Sequence, residues 1–421
     1  MAGAQPAADF EFTSARTPTP IALAPSAAAP ATETATAAPT AAGALAAAGP
    51  ATHTVVDRKA AAVAAVPARA GIDADAESLH TRRPTRTPTP SPTPAPPSAT
   101  PTRPALPANQ LTGLAHYWQT WNNCGPATLA MNLSYFGVQH GQDTVAAALR
   151  PYRDDKNVNP WEMAEYARGQ GLRAVARVNG DAARLRALID AGVPILIETW
   201  YEPKPNDGMG HYRLIVGYDD STAEWVAYDS YDSHGVKKDQ PYAGIRLPYD
   251  SLDRLWAVFN RAYVVTYDEP RAAAVEAIIG DDMDDAAMWQ RSLAAAEAAA
   301  QANGQDPFAW FNVGSSLVAL GDYQRAAQAF DQARTLKLPW RMLWYQFGPF
   351  RAYYEVGRYD ELIALADATL AQAKSVEELF FWRGRALQAQ GNSEAARAAW
   401  QTALEFNPHY AEAAAALAEL P

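Results

Sequence analysis

Two pairs of glycines, Gly314 with Gly321 and Gly384 with Gly391, stand seven residues apart, and the second pair follows the first by 70 positions. The same residue types recur around each pair. Trp310, Tyr323, Ala326, Phe330 and Ala333 accompany the first, and Ala396, Trp400, Ala403 and Pro408 the second. An offset of 70 is close to two units of a 34-residue helical hairpin, and the degenerate stretch RAYYEVGRYDELIALADATLAQA fills the middle place. No other feature restricts the fold so much. A unit of this kind hides its apolar side only against the next unit, so its helices must stack in a row. The small residues let the second helix of a hairpin nest on the first, and HYAEAAAALAEL reads as a closing helix. Residues 306–421 are therefore expected to form an all-α solenoid, with 270–305 as an Ala-rich linker and helix before it.

The front of the chain has the opposite character. Residues 1–107 are dominated by Ala, Thr and Pro and end in RRPTRTPTPSPTPAPPSATPTRPALPA. Such a segment buries too little apolar surface to offset ordering entropy, and disorder is expected, with the Thr/Pro part an extended spacer. It reads as a stalk or as a plain linker. A net charge of −11 without a Lys/Arg cluster argues against a nucleic-acid binder. A single cysteine excludes an intrachain disulfide and a cysteine-rich zinc site, and no metal or cofactor is expected. No apolar run reaches the 18 residues of a membrane span. MAGAQPAADFEFTSAR lacks the charged and apolar regions of a secretion signal, so none is readable in this sequence.

Between these parts, residues 108–269 change period repeatedly. NPWEMAEYARGQG, with Asn159 as cap and Gly171 as stop, and GDAARLRALIDAG, closed by Gly192, read as helices. A short helix is expected near 144–149. LRAVARV, VPILIETW and RAYVVTYDE read as strands, and GHYRLIVGYDD with AEWVAYDSY as a hairpin. Helices first and an antiparallel sheet later give an α+β class.

The lone thiol lies at the head of this region, in WNNCGPATLAMNLSYFG. Asn122 and Asn123 are capping types, Pro126 suits an early helical turn, and Gly137 is a terminator, so Cys124 is expected at the mouth of an amphipathic helix. There the helix dipole and free N–H groups favour the thiolate. Most lone cysteines are inert core residues, so the thiol needs a base, an orienting group and oxyanion donors before it counts as a nucleophile. Of the seven histidines, His53 and His80 lie in the front segment and His409 in the repeats. His140 follows the helix in a polar loop, and His116 precedes the thiol by only eight residues. His211 and His234 remain. His211 opens a strand just after the glycine-rich NDGMG, where the backbone is free to approach a ligand. Asp229 ends the next strand and a hairpin brings it alongside His211, where an acid holds the imidazole tautomer. Asp232 is a rival, and Asp219 and Asp220 read as turn residues. Trp118, Trp121, Trp161, Trp200 and Tyr201 wall a cleft or fill a core, and aromatics this frequent fill cores more often.

Asn122-Asn123-Cys124-Gly125-Pro126-Ala127, a helix ending Tyr135-Phe136-Gly137, Gly210-His211-Tyr212 before LIVGYDD, and Tyr228-Asp229-Ser230 together resemble the papain-clan cysteine peptidase family thirty-nine. Its best-known members are double-glycine leader peptidases fused to bacteriocin exporters, and the nearer likeness is to stand-alone domains in exported bacterial proteins. The resemblance runs from about Thr112 to Tyr267. It implies a papain-like cysteine peptidase domain with a Cys124–His211–Asp229 triad, and an oxyanion site made by the Cys124 backbone N–H and Gln119. Gln119 lies five residues before the cysteine, where the papain pattern has six. The glycine-spaced region likewise resembles tetratricopeptide repeats.

The function expected is thiol-dependent cleavage of peptide bonds, with the repeats recruiting a protein partner or the substrate. One alternative is a non-catalytic peptide-binding scaffold. Another is a cysteine amidase or acyl transferase acting on cell-wall or other non-protein amides, because chemistry resides in the pocket rather than the fold. Export, or a place at a bacterial cell surface, is the expected location, with the cytoplasm the alternative.

Overall fold

The computed structural model describes residues 106–204, 207–236 and 239–420, and the segment expected to be disordered lies, but for its last two residues, outside them. The described chain holds an α+β domain followed by a helical-repeat region.

In the first domain an antiparallel sheet runs in the order β2 (Arg173–Arg177), β7 (Tyr263–Tyr267), β3 (Ile195–Tyr201), β4 (Met209–Asp219), β5 (Glu224–Asp229) and β6 (Ile245–Pro248). A short β1 (Ala108–Gln110) pairs with the far end of β4. Alternation along the strands sorts two cores. Leu196, Leu214, Val216 and Val264 face α1 (Cys124–Tyr135) and α3 (Pro160–Gly169), with α2 (Gln142–Leu149) beside them. Ile195, Ile197, Ile215 and Val265 face α4 (Ala182–Asp190), α5 (Tyr249–Ala257) and α6 (Ala272–Ile279).

Local chemistry accounts for the helix ends. Asn159 and Glu162 form a reciprocal capping box on α3 with Pro160 in the first turn, and the Asp181 carboxylate caps α4. Two expectations for α1 need correcting. It is not amphipathic, because Gly125 to Leu133 are all buried between the sheet and its neighbouring helices. Asn123 occupies the cap position without capping, since its amide is used by Thr120, Gln142 and Arg150. The short β1 and β6 carry too few alternating residues to have been read, whereas α5, with Leu252 and Trp256 buried on one face, had a helical pattern that went unread.

Beyond α6, α7 (Asp285–Ala302) leads into three hairpins. These are α8 (Pro307–Ala319) with α9 (Tyr323–Thr335), α10 (Gly348–Glu355) with α11 (Tyr359–Leu370), and α12 (Glu377–Ala389) with α13 (Ser393–Phe406). The closing helix is α14 (Ala411–Ala418). The repeated glycines have the expected use. A methyl on Gly314 would stand 2.6 Å from the Phe330 ring, and one on Gly384 2.4 Å from the Trp400 indole. Each glycine thus lets an aromatic of the second helix lie directly on the backbone of the first.

The repeats are built into the first domain. Trp200, Val258 and Phe259 belong to the same apolar core as α7 to α13, and Trp161 stacks on Trp289. Asn312 Nδ2 donates to the Ala257 carbonyl at 2.7 Å, Asn157 Nδ2 to Glu378 Oε1 at 3.1 Å, and Ser375 Oγ to the Asp154 carbonyl at 2.8 Å. Trp400 is fully buried, with its indole N–H on the Phe381 carbonyl at 3.1 Å. Trp400→Ala should cost about 3–5 kcal/mol, read as a lowered melting temperature by circular dichroism. An unchanged melting temperature would mean that the last hairpin does not unfold with the main transition.

Candidate active site

The site grows from one strand pair. His211 and Arg213 are two residues apart on β4 and so point the same way, and the register sets Asp229 of β5 opposite Arg213. One carboxylate thereby meets both. Asp229 Oδ1 is 2.9 Å from His211 Nε2, and Oδ2 is 2.9 Å from Arg213 Nε. The backbone N–H groups of Tyr231 and Asp232 also donate to Oδ1, each at 2.8 Å. The next residue, Ser230, donates its hydroxyl to Gln119 Oε1 at 2.9 Å.

Cys124 comes from the other side, at the first turn of α1. Its thiol shares a hydrogen bond with the His211 imidazole and is also approached by the backbone N–H groups of Gly125 and Tyr212. Because His211 Nε2 is held by Asp229, Nδ1 is the nitrogen left for sulfur. The chain Cys124–His211–Asp229 is thus continuous. Gln119 joins it only through Ser230, and forms no hydrogen bond with Cys124.

Electrostatics follow this geometry. Burial disfavours the thiolate, but the bond to His211, its positive charge and the two N–H groups outweigh it and lower the Cys124 pKa. Burial likewise opposes charging His211. The Asp229 carboxylate prevails by charge and hydrogen bond, raising the imidazole pKa to about 9. Asp229 is held well below the usual carboxylate range: burial works against ionisation, and His211 and Arg213 more than compensate.

The other candidates have different duties. Asp232 pairs with the exposed His234 at 2.6 Å. His116 bonds the Asp229 carbonyl at 2.8 Å and stacks on Tyr242, while His140 bonds the Tyr166 hydroxyl at 2.9 Å. Asp219 folds back on Ser221 in a turn. Among the aromatics, Trp161 and Trp200 belong to the core, whereas Trp118 and Trp121 are exposed. Tyr201 packs edge-on against the exposed Tyr231 near the His211 ring. Among the described residues, no group of three His, Cys, Asp or Glu side chains is placed to hold a metal ion.

Three residues of the site were not read from the sequence. Arg213 and Glu198 each interrupt an apolar strand run, a signal that was visible. Tyr345, which follows the 3₁₀ turn Trp340–Trp344 between α9 and α10, reaches the site from the repeats. Its hydroxyl accepts the Gly210 N–H, and a methyl on Gly210 would stand 3.1 Å from its ring. Arg341 anchors the same turn on Asp207 and the Gly208 carbonyl.

Residues 106–261 match the family model described as Peptidase_C39 like family, and residues 309–337 and 377–410 match tetratricopeptide repeat models. A C39-like domain precedes tetratricopeptide repeats. No curated protein matches the chain. Among solved structures, it is similar to a protein described as a C39-like peptidase from Bacillus anthracis, with 14% identity and TM-score 0.30 over 38% of this chain and 98% of that one. It is also similar to two MamA structures. One is MamA 41-end from Desulfovibrio magneticus RS-1 (21% identity, 32% of this chain, 85% of that one, TM-score 0.27). The other is the MamA RS-1 ArsTM double mutant (22%, 31%, 72%, TM-score 0.29). Cys124, His211 and Asp229 all fall within the C39-like match. No helix of the described residues is long and apolar enough to cross a membrane.

Iodoacetamide should alkylate Cys124 of this C39-like domain readily below pH 7, because the thiolate persists beside the imidazolium. His211→Ala should slow labelling at that pH by about tenfold or more, because the imidazolium that favours the thiolate is gone, and His234→Ala should leave it as it is. Mass spectrometry of the Cys124 peptide checks both, and labelling confined to alkaline pH would mark an ordinary thiol.

Proposed function

We propose that the protein is a thiol-dependent hydrolase of peptide bonds, with Cys124 as nucleophile, His211 as the group that carries its proton, and Asp229 as the acid that orients the imidazole. The observation that carries this reading is the hydrogen-bonded run from sulfur to imidazole to buried carboxylate. A satisfied core cysteine requires none of it.

In this mechanism the Cys124 thiolate attacks the carbonyl carbon of the substrate, and the negative charge passes to the carbonyl oxygen. The Cys124 backbone N–H, at the positive end of α1, and the Gln119 amide serve as oxyanion donors, each worth about 3–4 kcal/mol in such sites. Ser230, by donating to Gln119 Oε1, orients the amide so that its N–H groups are the side offered to an oxyanion. His211 gives its Nδ1 proton to the leaving amine, and water then attacks the thioester with His211 as base. Arg213 takes no proton. By pairing with Asp229 it keeps that group a carboxylate throughout.

The repeats serve as the part that recruits a protein substrate or partner, the common use of a stacked helical surface. The same thiol chemistry also cleaves non-protein amides. A fluorogenic peptide library and a cell-wall digest, run side by side with wild type and Cys124→Ala, therefore decide the substrate class. Peptide cleavage lost in Cys124→Ala is the expected result, and release from cell wall alone would replace the peptidase reading with an amidase one.

The pH profile has a definite sign. Proton donation to the leaving group requires protonated His211, so hydrolysis should fall as pH rises through about 9. Alkylation needs only the thiolate and should not fall there. A folded pKa raised from 6.5 also means that His211 adds stability, fully present below pH 6.5 and lost as pH rises through about 9. Hydrolysis that declined in step with alkylation would point to a group other than His211.

A further inference from the structure

Beside the Cys124 sulfur is a cavity of about 10 Å³, lined among others by Asn157, Glu198, Gly210, Tyr212 and Tyr345. That is room for one group the size of a water molecule. Glu198 is the unexpected member. It lies on β3 in register with Tyr212, whose side chain belongs to the apolar core around α1, and it is only 3% exposed. Its Oε2 has no hydrogen-bond partner among the described residues. Burial, with the charge of the nearby thiolate added, holds its carboxyl well above the usual range, and a positive charge beside it is what would favour its ionised form. A buried carboxyl with an unmet oxygen costs stability. The one cation that borders the cavity is engaged elsewhere, since the Lys156 ammonium sits 5.6 Å from the Trp121 ring centre and 6.0 Å from that of Trp344, with Asp154 and Asp155 nearby.

The occupant must be small and must bring donors. An apolar group would leave Glu198 unmet, and a guanidinium is too broad for the space. A primary ammonium is about the size of water and carries three N–H donors. We propose that this cavity is a subsite for a primary ammonium group of the substrate, with Glu198 as its counter-charge and Tyr345 of the repeat region as the wall that sets its size. The proposal rests on Cys124 being the nucleophile, because the ammonium is then held next to the scissile carbonyl. The α-amine of a peptide and the ε-ammonium of a lysine share this chemistry.

The test uses the full chain and three thiol reagents, 2-aminoethyl, ethyl and 2-(trimethylammonium)ethyl methanethiosulfonate. Each transfers its alkylthio group to the Cys124 thiolate and releases methanesulfinate. Rates are measured near pH 6 and near pH 8.5 and divided by those of 2-mercaptoethanol. The aminoethyl-to-ethyl ratio of wild type should exceed that of the free thiol by about tenfold, a difference of about 1.4 kcal/mol. In Glu198→Gln it should return close to the free-thiol value. The trimethylammonium reagent should react poorly with wild type and gain in Tyr345→Ala, whose cavity is wider. A measurement on the unsubstituted protein guards against a variant that does not fold: methylammonium chloride should protect Cys124 from the ethyl reagent better than tetramethylammonium chloride at equal ionic strength. Equal ratios in wild type and Glu198→Gln, or equal protection by the two salts, would overturn the subsite. A thiol that reacts only near pH 8.5, yet keeps the aminoethyl preference, would sink the nucleophile reading and leave only an ammonium site beside an ordinary thiol. Free against N-acetylated peptides, and lysine against norleucine peptides, then separate the two sources of the ammonium.

Discussion

A carboxylate in a place without water is the constraint on which the site depends. Asp229 has no exposed surface, and taking an ion out of water costs several kcal/mol unless partners restore the lost solvation. Here an ion pair and three N–H donors restore much of it, while Asp229 Oδ2 and Arg213 Nε face each other as charges without an aligned hydrogen bond. Arg213 meets one oxygen, while His211 and two backbone N–H groups meet the other. The arrangement works in both directions. Asp229 fixes the imidazole tautomer and raises its pKa, and the charged imidazole then makes the thiolate affordable at the mouth of α1. Take away the carboxylate, and Arg213 becomes a buried cation without a counter-charge while His211 loses its reason to be protonated.

The surroundings of Asp229 are arranged to keep it there. Its carbonyl receives His116 Nε2, and its N–H lies 3.1 Å from the Tyr242 hydroxyl, which closes a ring of aromatic and imidazole groups around the end of β5. Thr199 of β3 donates its hydroxyl to the His211 carbonyl at 2.9 Å, tying the neighbouring strand to His211. These contacts leave few rotamers to His211 and Asp229, so the hydrogen-bonded run is largely fixed by its surroundings.

Much of this was legible because its signals are local. The α+β order, the β4–β5 hairpin and the helix repeat follow from periods of two and of 3.6, from Asn159 and Asp181 as caps, and from the spaced glycines. Asp229 was readable as a partner of His211 because a hairpin converts sequence distance into register. Asp232 was a fair rival until the structure turned it toward His234. What could not be read depends on contacts that sequence spacing does not encode. The amphipathic reading of α1 failed because a helix covered on several sides has no solvent face to expose. Glu198 and Arg213 were visible as polar interruptions of apolar strands. Their meaning required knowing which pocket and which carboxylate they face. Tyr345 lies 134 positions from His211, and no local pattern marks it as part of the cleft.

Tyr345 changes how the two parts of the chain relate. A repeat region that merely recruited a partner would hang from a linker and leave the thiol site complete without it. Instead the turn at Trp340–Trp344 is fastened by Arg341 to the loop before β4, and Tyr345 lies against Gly210, the residue next to His211. Ser375 and Glu378 hold Asp154 and Asn157, and Asn157 also lines the cavity. The repeats therefore brace the cavity beside the thiol at two places. A side chain at Gly210 would press on a ring delivered from the solenoid, 3.1 Å from its Cβ, and the ring would have to give by a few tenths of an ångström. The packing of the solenoid helices therefore reaches the cavity beside Cys124 through Tyr345 and through the partner of Asn157. A partner that shifts those helices would alter the cleft directly, without any signal having to travel through the sheet.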